Sequence, residues 1–186
     1  VLHGAIRSSL WADSPARHIE ATRNINRLLC ERASSERYAT MFWGSLDTQT
    51  GSLRYINAGH LPPLVLRAGE LLRLEEGGPV LGLIPSAPYR QGRVTLQPGD
   101  TLVLYSDGGS EAADARDEEF SEARLAETVN SLRGKPAVEV RDQVMAAVRG
   151  FTGNAPLADD RTLLVVRFQG AAANSTAPTG LTGVAA

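Results

Sequence analysis

Apolar side chains recur at helical spacing between residues 15 and 32, where Ile19, Ile25, Leu28 and Leu29 fall on one side together with Thr22. That stripe predicts a helix with one buried face, ending near Arg32. Asp13-Ser14-Pro15 ahead of it has the form of a cap residue followed by proline in the first turn. Leu2, Ile6 and Leu10 also recur every four residues, so the chain opens inside a helical pattern with neither a Met nor a cap. The expectation is a piece of a longer protein.

The period then changes. Short β-prone runs stand at Arg37 to Leu46, Leu53 to Asn57, Leu64 to Arg67, Leu71 to Leu74, Arg93 to Leu96, Thr101 to Tyr105 and Arg161 to Phe168. Asp47-Thr48-Gln49-Thr50-Gly51, Gly69-Glu70 and Gln97-Pro98-Gly99-Asp100 are the turns between them. Residues 77–88, rich in Gly and Pro, read as an ordered loop. Helical spacing returns at about Ser121 to Leu132 and Pro136 to Arg149, the latter with Val140, Val144, Ala147 and Val148 facing inward. Strands that cluster instead of alternating with helices predict an α+β fold, helices packed on antiparallel sheet.

Composition narrows the class. With 186 residues, 42% of them hydrophobic, the chain can build one domain with a sizeable core. Residues 1–169 are assigned to it, and the uncharged Ala/Gly/Thr/Ser/Pro stretch 170–186 to a disordered tail. Nineteen Lys+Arg against 21 Asp+Glu give a net charge of −2, no electrostatic case for nucleic acid or an acidic membrane surface. No run is long enough to span a bilayer, and a cytoplasmic setting is expected. Cys30, the single cysteine, excludes an intrachain disulfide and reads as a buried structural thiol.

The candidate chemistry sits at two strand ends. The run Thr101 to Tyr105 stops at Ser106-Asp107-Gly108-Gly109, and Asp159-Asp160 stands just before the last strand. Glycines after Asp107 would let the backbone turn away with positive φ and let another group approach. Carboxylates brought together at strand ends offer the oxygen donors that Mg²⁺ or Mn²⁺ prefers. His60, between Gly59 and Leu61-Pro62, is expected to be a hydrogen-bonded structural histidine, not a general acid. Trp11, Phe42 and Trp43 read as core residues.

An ordered set of motifs resembles a known family. They are Tyr38-Ala39-Thr40-Met41-Phe42, the run from Gly51 to Pro63, Pro79-Val80-Leu81-Gly82-Leu83, the run from Pro98 to Gly108, Glu111-Ala112, and the run from Asp159 to Val166. Together they resemble the SpoIIE/RsbU-like bacterial branch of the metal-dependent protein phosphatases, the PPM superfamily. The resemblance implies an antiparallel β-sandwich flanked by helices, a four-layer αββα arrangement, here missing its first strands. It implies hydrolysis of phosphoserine or phosphothreonine on a protein by water activated between two Mn²⁺ or Mg²⁺ ions. Asp107 and Asp159 match the family's metal-ligand aspartates, and Asp160 is a neighbouring candidate ligand. The family's early Gly-Asp and Gly-Asp-X-X-Gly-His-Gly motifs have no counterpart, so the chain is expected to carry about half of the site and to be weakly active or inactive by itself. The implied substrate is a phosphorylated small regulatory protein, such as a STAS-type anti-sigma-factor antagonist, and a homodimer is compatible. The competing reading is a non-catalytic phosphatase-like module for partner binding or dimerisation.

Overall fold

Alternation along the strands builds the molecule in layers. The computed structural model describes residues 15–32, 38–153, 155 and 159–171. In β2 (Ser52–Ala58) Leu53 and Tyr55 join one buried cluster while Ile56 and Ala58 join another. In β7 (Thr101–Tyr105) Leu102 and Leu104 point to the first cluster and Val103 and Tyr105 to a third. Period-two side chains that are apolar on both faces require cover on both sides of each sheet.

One sheet holds β1 (Met41–Leu46) antiparallel to β2, whose other edge pairs antiparallel with β6 (Gly92–Thr95) and parallel with β5 (Gly77–Gly78). The second has the order β4-β3-β7-β8, all antiparallel, from β3 (Leu64–Arg67), β4 (Glu70–Arg73) and β8 (Leu163–Arg167). Between the sheets lie Leu53, Tyr55, Val65, Leu74, Leu96, Leu102 and Phe168, with Phe42 stacked on Tyr55.

Helix α1 (Pro15–Arg32) covers the outer face of the first sheet, placing Ile19, Ile25 and Leu29 over Ile56, Ala58 and Leu81. Trp43 joins that layer and donates its indole N–H to Thr22 Oγ1 at 3.0 Å. Helices α3 (Glu122–Ser131) and α4 (Ala137–Thr152) cover the outer face of the second sheet through Leu125, Val129, Val140, Val144 and Val148. Each such side chain contributes about 1.5–3 kcal/mol by leaving water. The chain is thus α+β, an αββα sandwich of the expected kind.

Several details depart from the sequence reading. Gly77-Gly78 is a two-residue strand, not simply loop. Cys30 is half-buried, its Sγ 3.9 Å from Asn26 Oδ1. His18, on the same helix, packs edge-on against Trp43 and lies 2.9 Å from Gln91 Nε2 through Nδ1. The Asp13-Ser14 cap, His3, Trp11 and nearly all of the tail lie outside the described residues. Among the described residues no helix is long and apolar enough to cross a membrane.

Asn26 ties α1 to the loop after β5. It is 1% exposed, donates Nδ2 to the carbonyls of Ile84 (2.8 Å) and Pro85 (3.2 Å), and accepts from Gly82 N–H (2.9 Å). The loop is held to the helix as one unit, with Leu83 and Ile84 exposed beyond it.

Candidate metal edge

Ser106 joins the two acidic segments. Its amide donates to Thr162 O (3.0 Å), extending the β7–β8 pairing by one residue past Tyr105. Its hydroxyl donates to Asp160 O (3.2 Å) and accepts from Thr162 N–H (2.9 Å). One small side chain thereby staples the approach to β8 against the exit of β7.

The chain then makes a helical turn, α2 (Asp107–Ser110), closed by Glu111 N–H on Asp107 O at 2.8 Å. The glycines do not serve as expected: neither Gly108 nor Gly109 has positive φ. Gly108 is required by proximity, since a Cβ there would lie 2.3 Å from Asp160 O and 3.3 Å from Asp159 C. Gly109 has open space around its Cβ position. The expectation of close approach therefore holds at Gly108, and that of a positive-φ turn fails at both.

All three predicted aspartates are exposed. Asp107 Oδ1 accepts from Gly108 N–H (2.9 Å) and Asp159 Oδ1 from Asp160 N–H (2.7 Å), each carboxylate thus holding its own turn. Asp160 contributes its carbonyl to the Ser106 staple. The fold sets the backbones of 107–108 and 159–160 against each other. Among the described residues, however, no group of three carboxylate, imidazole or thiol side chains is assembled that could hold an ion. The donors suit a hard divalent cation in kind and fall short of a complete set in number.

A cavity of about 340 Å³ opens beside this edge, lined by Gly108, Glu111, Asp114, Asp117, Asp159 and Arg161 among others. Asp114 organises its far wall: Oδ1 accepts from the amides of Arg116 (2.8 Å) and Glu118 (3.0 Å), which hold its carboxyl below the usual range. Arg161 Nε is buried with no hydrogen-bond partner. Sequence reasoning missed Ser106, Asp114 and Arg161. Only Asp114 left a local trace, as a short polar turn former followed by Arg116-Asp117.

His60 lies elsewhere, and its ring is hydrogen-bonded as expected. Its amide donates to Asn57 Oδ1 (2.8 Å), its Nδ1 lies 2.7 Å from Leu61 O, and Asn57 in turn donates to Leu74 O (3.2 Å).

Comparisons with known proteins give this geometry its context. Among curated relatives, protein IcfG of Synechocystis is 31% identical over 137 residues, 73% of this chain and 22% of IcfG. The phosphoserine phosphatase RsbU of Bacillus subtilis is 30% identical over 94 residues, half of this chain and 28% of RsbU. The chain therefore spans less than a third of either relative's length. The solved PP2C phosphatase domain of SpoIIE from Bacillus subtilis, with a fragment of its regulatory domain, superposes with a TM-score of 0.69 at 24% identity, over 89% of this chain and 47% of that one. At that identity the likeness establishes the fold, that of a PPM phosphatase. The model of the family described as stage II sporulation protein E matches residues 1–169, and the chain belongs to that SpoIIE family.

Proposed function

We propose that this chain is the catalytic output segment of a metal-dependent phosphoserine/phosphothreonine protein phosphatase, with Asp107 and Asp159 as carboxylate ligands to Mn²⁺ or Mg²⁺. The observation that carries the reading is the Ser106 staple with Gly108 against Asp160 O, which sets two acidic tips 52 residues apart in sequence on one edge. The metal dependence of the family and the phosphoserine phosphatase RsbU among the relatives support it. Asp160 serves the same edge through its carbonyl and offers a further carboxylate. The remaining donors, for two ions in all, come from outside the described residues. A bound divalent ion supplies Lewis acidity toward phosphoryl oxygen. The chain's own part is to hold the carboxylates in place and to shape the adjoining cavity. The proposed substrate is a small phosphorylated regulatory protein of the STAS anti-sigma-factor-antagonist kind, in the cytoplasm, with a homodimer compatible with this assignment.

A second reading, a phosphatase-like module that binds a partner without catalysis, is favoured by the lack of a three-donor group among the described residues. One experiment separates them. Mn²⁺ binding by calorimetry and hydrolysis of a phosphoserine peptide are measured on the full-length protein, on Asp107→Asn and on Asp159→Asn. The phosphatase reading expects both variants to lose ion affinity at least about tenfold and to lose turnover. Unchanged affinity and turnover in both would dismiss the assignment of this edge. Mn²⁺-independent partner binding with no turnover in the unaltered protein would favour the module.

A further inference from the structure

On the outer face of the first sheet the row next to Trp43 and Ile56 changes character. Strand register aligns Ser45 of β1, Arg54 of β2 and Arg93 of β6 side by side across three adjacent strands. The apolar part of this face lies under α1, whereas this row borders a cavity of about 560 Å³ together with Asp47, Thr50 and Ser52. Two guanidiniums directly opposite each other across a β-ladder repel, and a fold normally separates or neutralises such a pair. Here neither arginine forms an ion pair among the described residues. Arg93 Nε donates to Ser52 Oγ at 3.2 Å, which fixes its stem and leaves the rest of its fork open. Asp47, the acid in the lining, is held by the Thr50 side chain and by the amides of Gln49 (2.8 Å) and Thr50 (3.1 Å) on Oδ1; the Arg54 charge adds only a lesser pull on its carboxyl and forms no ion pair with it.

The geometry points to a second, metal-independent site: the Arg54–Arg93 row binds a phosphate-type oxyanion. Two planar forks present several N–H donors at once, and Ser45 adds a hydroxyl, a donor set that suits a tetrahedral dianion. An anion between the guanidiniums offsets their repulsion, so binding and sheet stability reinforce each other. The site stands apart from Asp107 and Asp159. Gly51, just before β2, accepts from Leu96 N–H through its carbonyl, and a Cβ there would lie 2.9 Å from the Phe168 ring, so the row lies toward the Asp100 end of the sandwich. Its test is therefore independent of the phosphatase reading.

Inorganic phosphate is titrated into the isotopically labelled full chain with a chelator present, following amide shifts by NMR. Saturable shifts are expected at residues 45–54 and 92–95. Arg54→Gln and Arg93→Gln should each weaken binding at least about tenfold, while Arg149→Gln, the same charge change on α4, leaves it unaltered. Phosphate should also raise the melting temperature of the unaltered chain and not that of the double variant. A phosphoserine peptide and its unphosphorylated counterpart form the second arm. Shifts with the phosphopeptide assign the site to a phosphoprotein, and shifts with inorganic phosphate alone assign it to the free ion. Chloride at equal ionic strength reproducing the shifts would overturn the proposal on the unaltered chain, even if a variant failed to fold. So would the absence of saturable shifts, or equal weakening in Arg149→Gln.

Discussion

An aspartate stands just outside each end of β7, and their surroundings are opposite. Asp100 is 4% exposed; its Oδ2 accepts from Arg67 Nη2 (2.7 Å), Arg67 Nε (3.1 Å) and the Gln97 amide (2.9 Å). Arg67 continues to Thr95 O, and Asp100 O accepts from Phe168 N–H, so one carboxylate and its peptide unit lock the β6–β7 turn to β3 and β8. The same contact holds the Arg67 guanidinium above its ordinary pKa. The Asp107 side chain is exposed and, among the described residues, its carboxylate accepts only its neighbour's amide. A strand-end acid committed to the fold is saturated with protein donors, whereas one available for a ligand keeps its oxygens toward solvent. The contrast lies in partners, not in position along the strand.

That contrast can be tested by substitution. Asp100→Ala leaves Arg67 and the Gln97 amide without their acceptor and should cost about 3–5 kcal/mol in denaturant unfolding. A loss below about 1 kcal/mol would mean the two ends of β7 do not differ as described. Tyr105, at the Asp107 end, has a buried hydroxyl, and burial pushes its phenol from 10.0 up to about 12, the nearby Glu122 carboxylate adding to the effect. The neutral phenol is the form the fold favours, so its contribution is intact below pH 10 and disappears as pH rises through about 12. The unaltered chain should lose about 2–3 kcal/mol over that window from this group, and Tyr105→Phe should recover that portion. A Tyr105→Phe curve parallel to that of the unaltered chain would refute it.

Gly108→Ala forces a Cβ against Asp160 O and should cost about 1–3 kcal/mol. Gly109→Ala, in open space within the same helical turn, should be neutral or stabilise by about 0.5–1 kcal/mol. Equal effects from the two would deny that the acidic segments are pressed together at Gly108. Asp107→Asn should change stability by less than about 0.5 kcal/mol in ion-free buffer. A cost near that of Asp100→Ala would make Asp107 a structural residue.

The layers were legible in the sequence because period-two apolar runs such as Leu64-Val65-Leu66 and Thr101 to Tyr105 leave little choice of face. Helix spacing over Val140, Val144 and Val148 was equally plain. The strand Gly77-Gly78 was not, because glycines carry no side-chain pattern; they pair where a Cβ would collide with Asn57 at Gly77 and with Pro88 and Tyr89 at Gly78. Gly108-Gly109 resembles a turn by propensity, and contact with Asp160 decides otherwise. At the candidate edge, Asp107 and Asp159 could be picked out as acidic strand ends. The Ser106 staple could not, since its partners lie more than fifty residues away. Arg67 with Asp100 and Arg54 with Arg93 are long-range pairs of the same kind, visible only once strand register is known.

In β7, and in β2 from Tyr55 to Ala58, alternate residues serve different interiors, so neither stretch has a neutral side. A one-residue insertion or deletion within either would send every following side chain into the wrong layer and could not be absorbed by shifting the strand. Length variation in this domain should therefore collect at the exposed turns, around Thr48 to Thr50 and Ala68-Gly69, while the stretches from Leu53 to Ala58 and from Thr101 to Ser106 keep their residue count even where their identities drift.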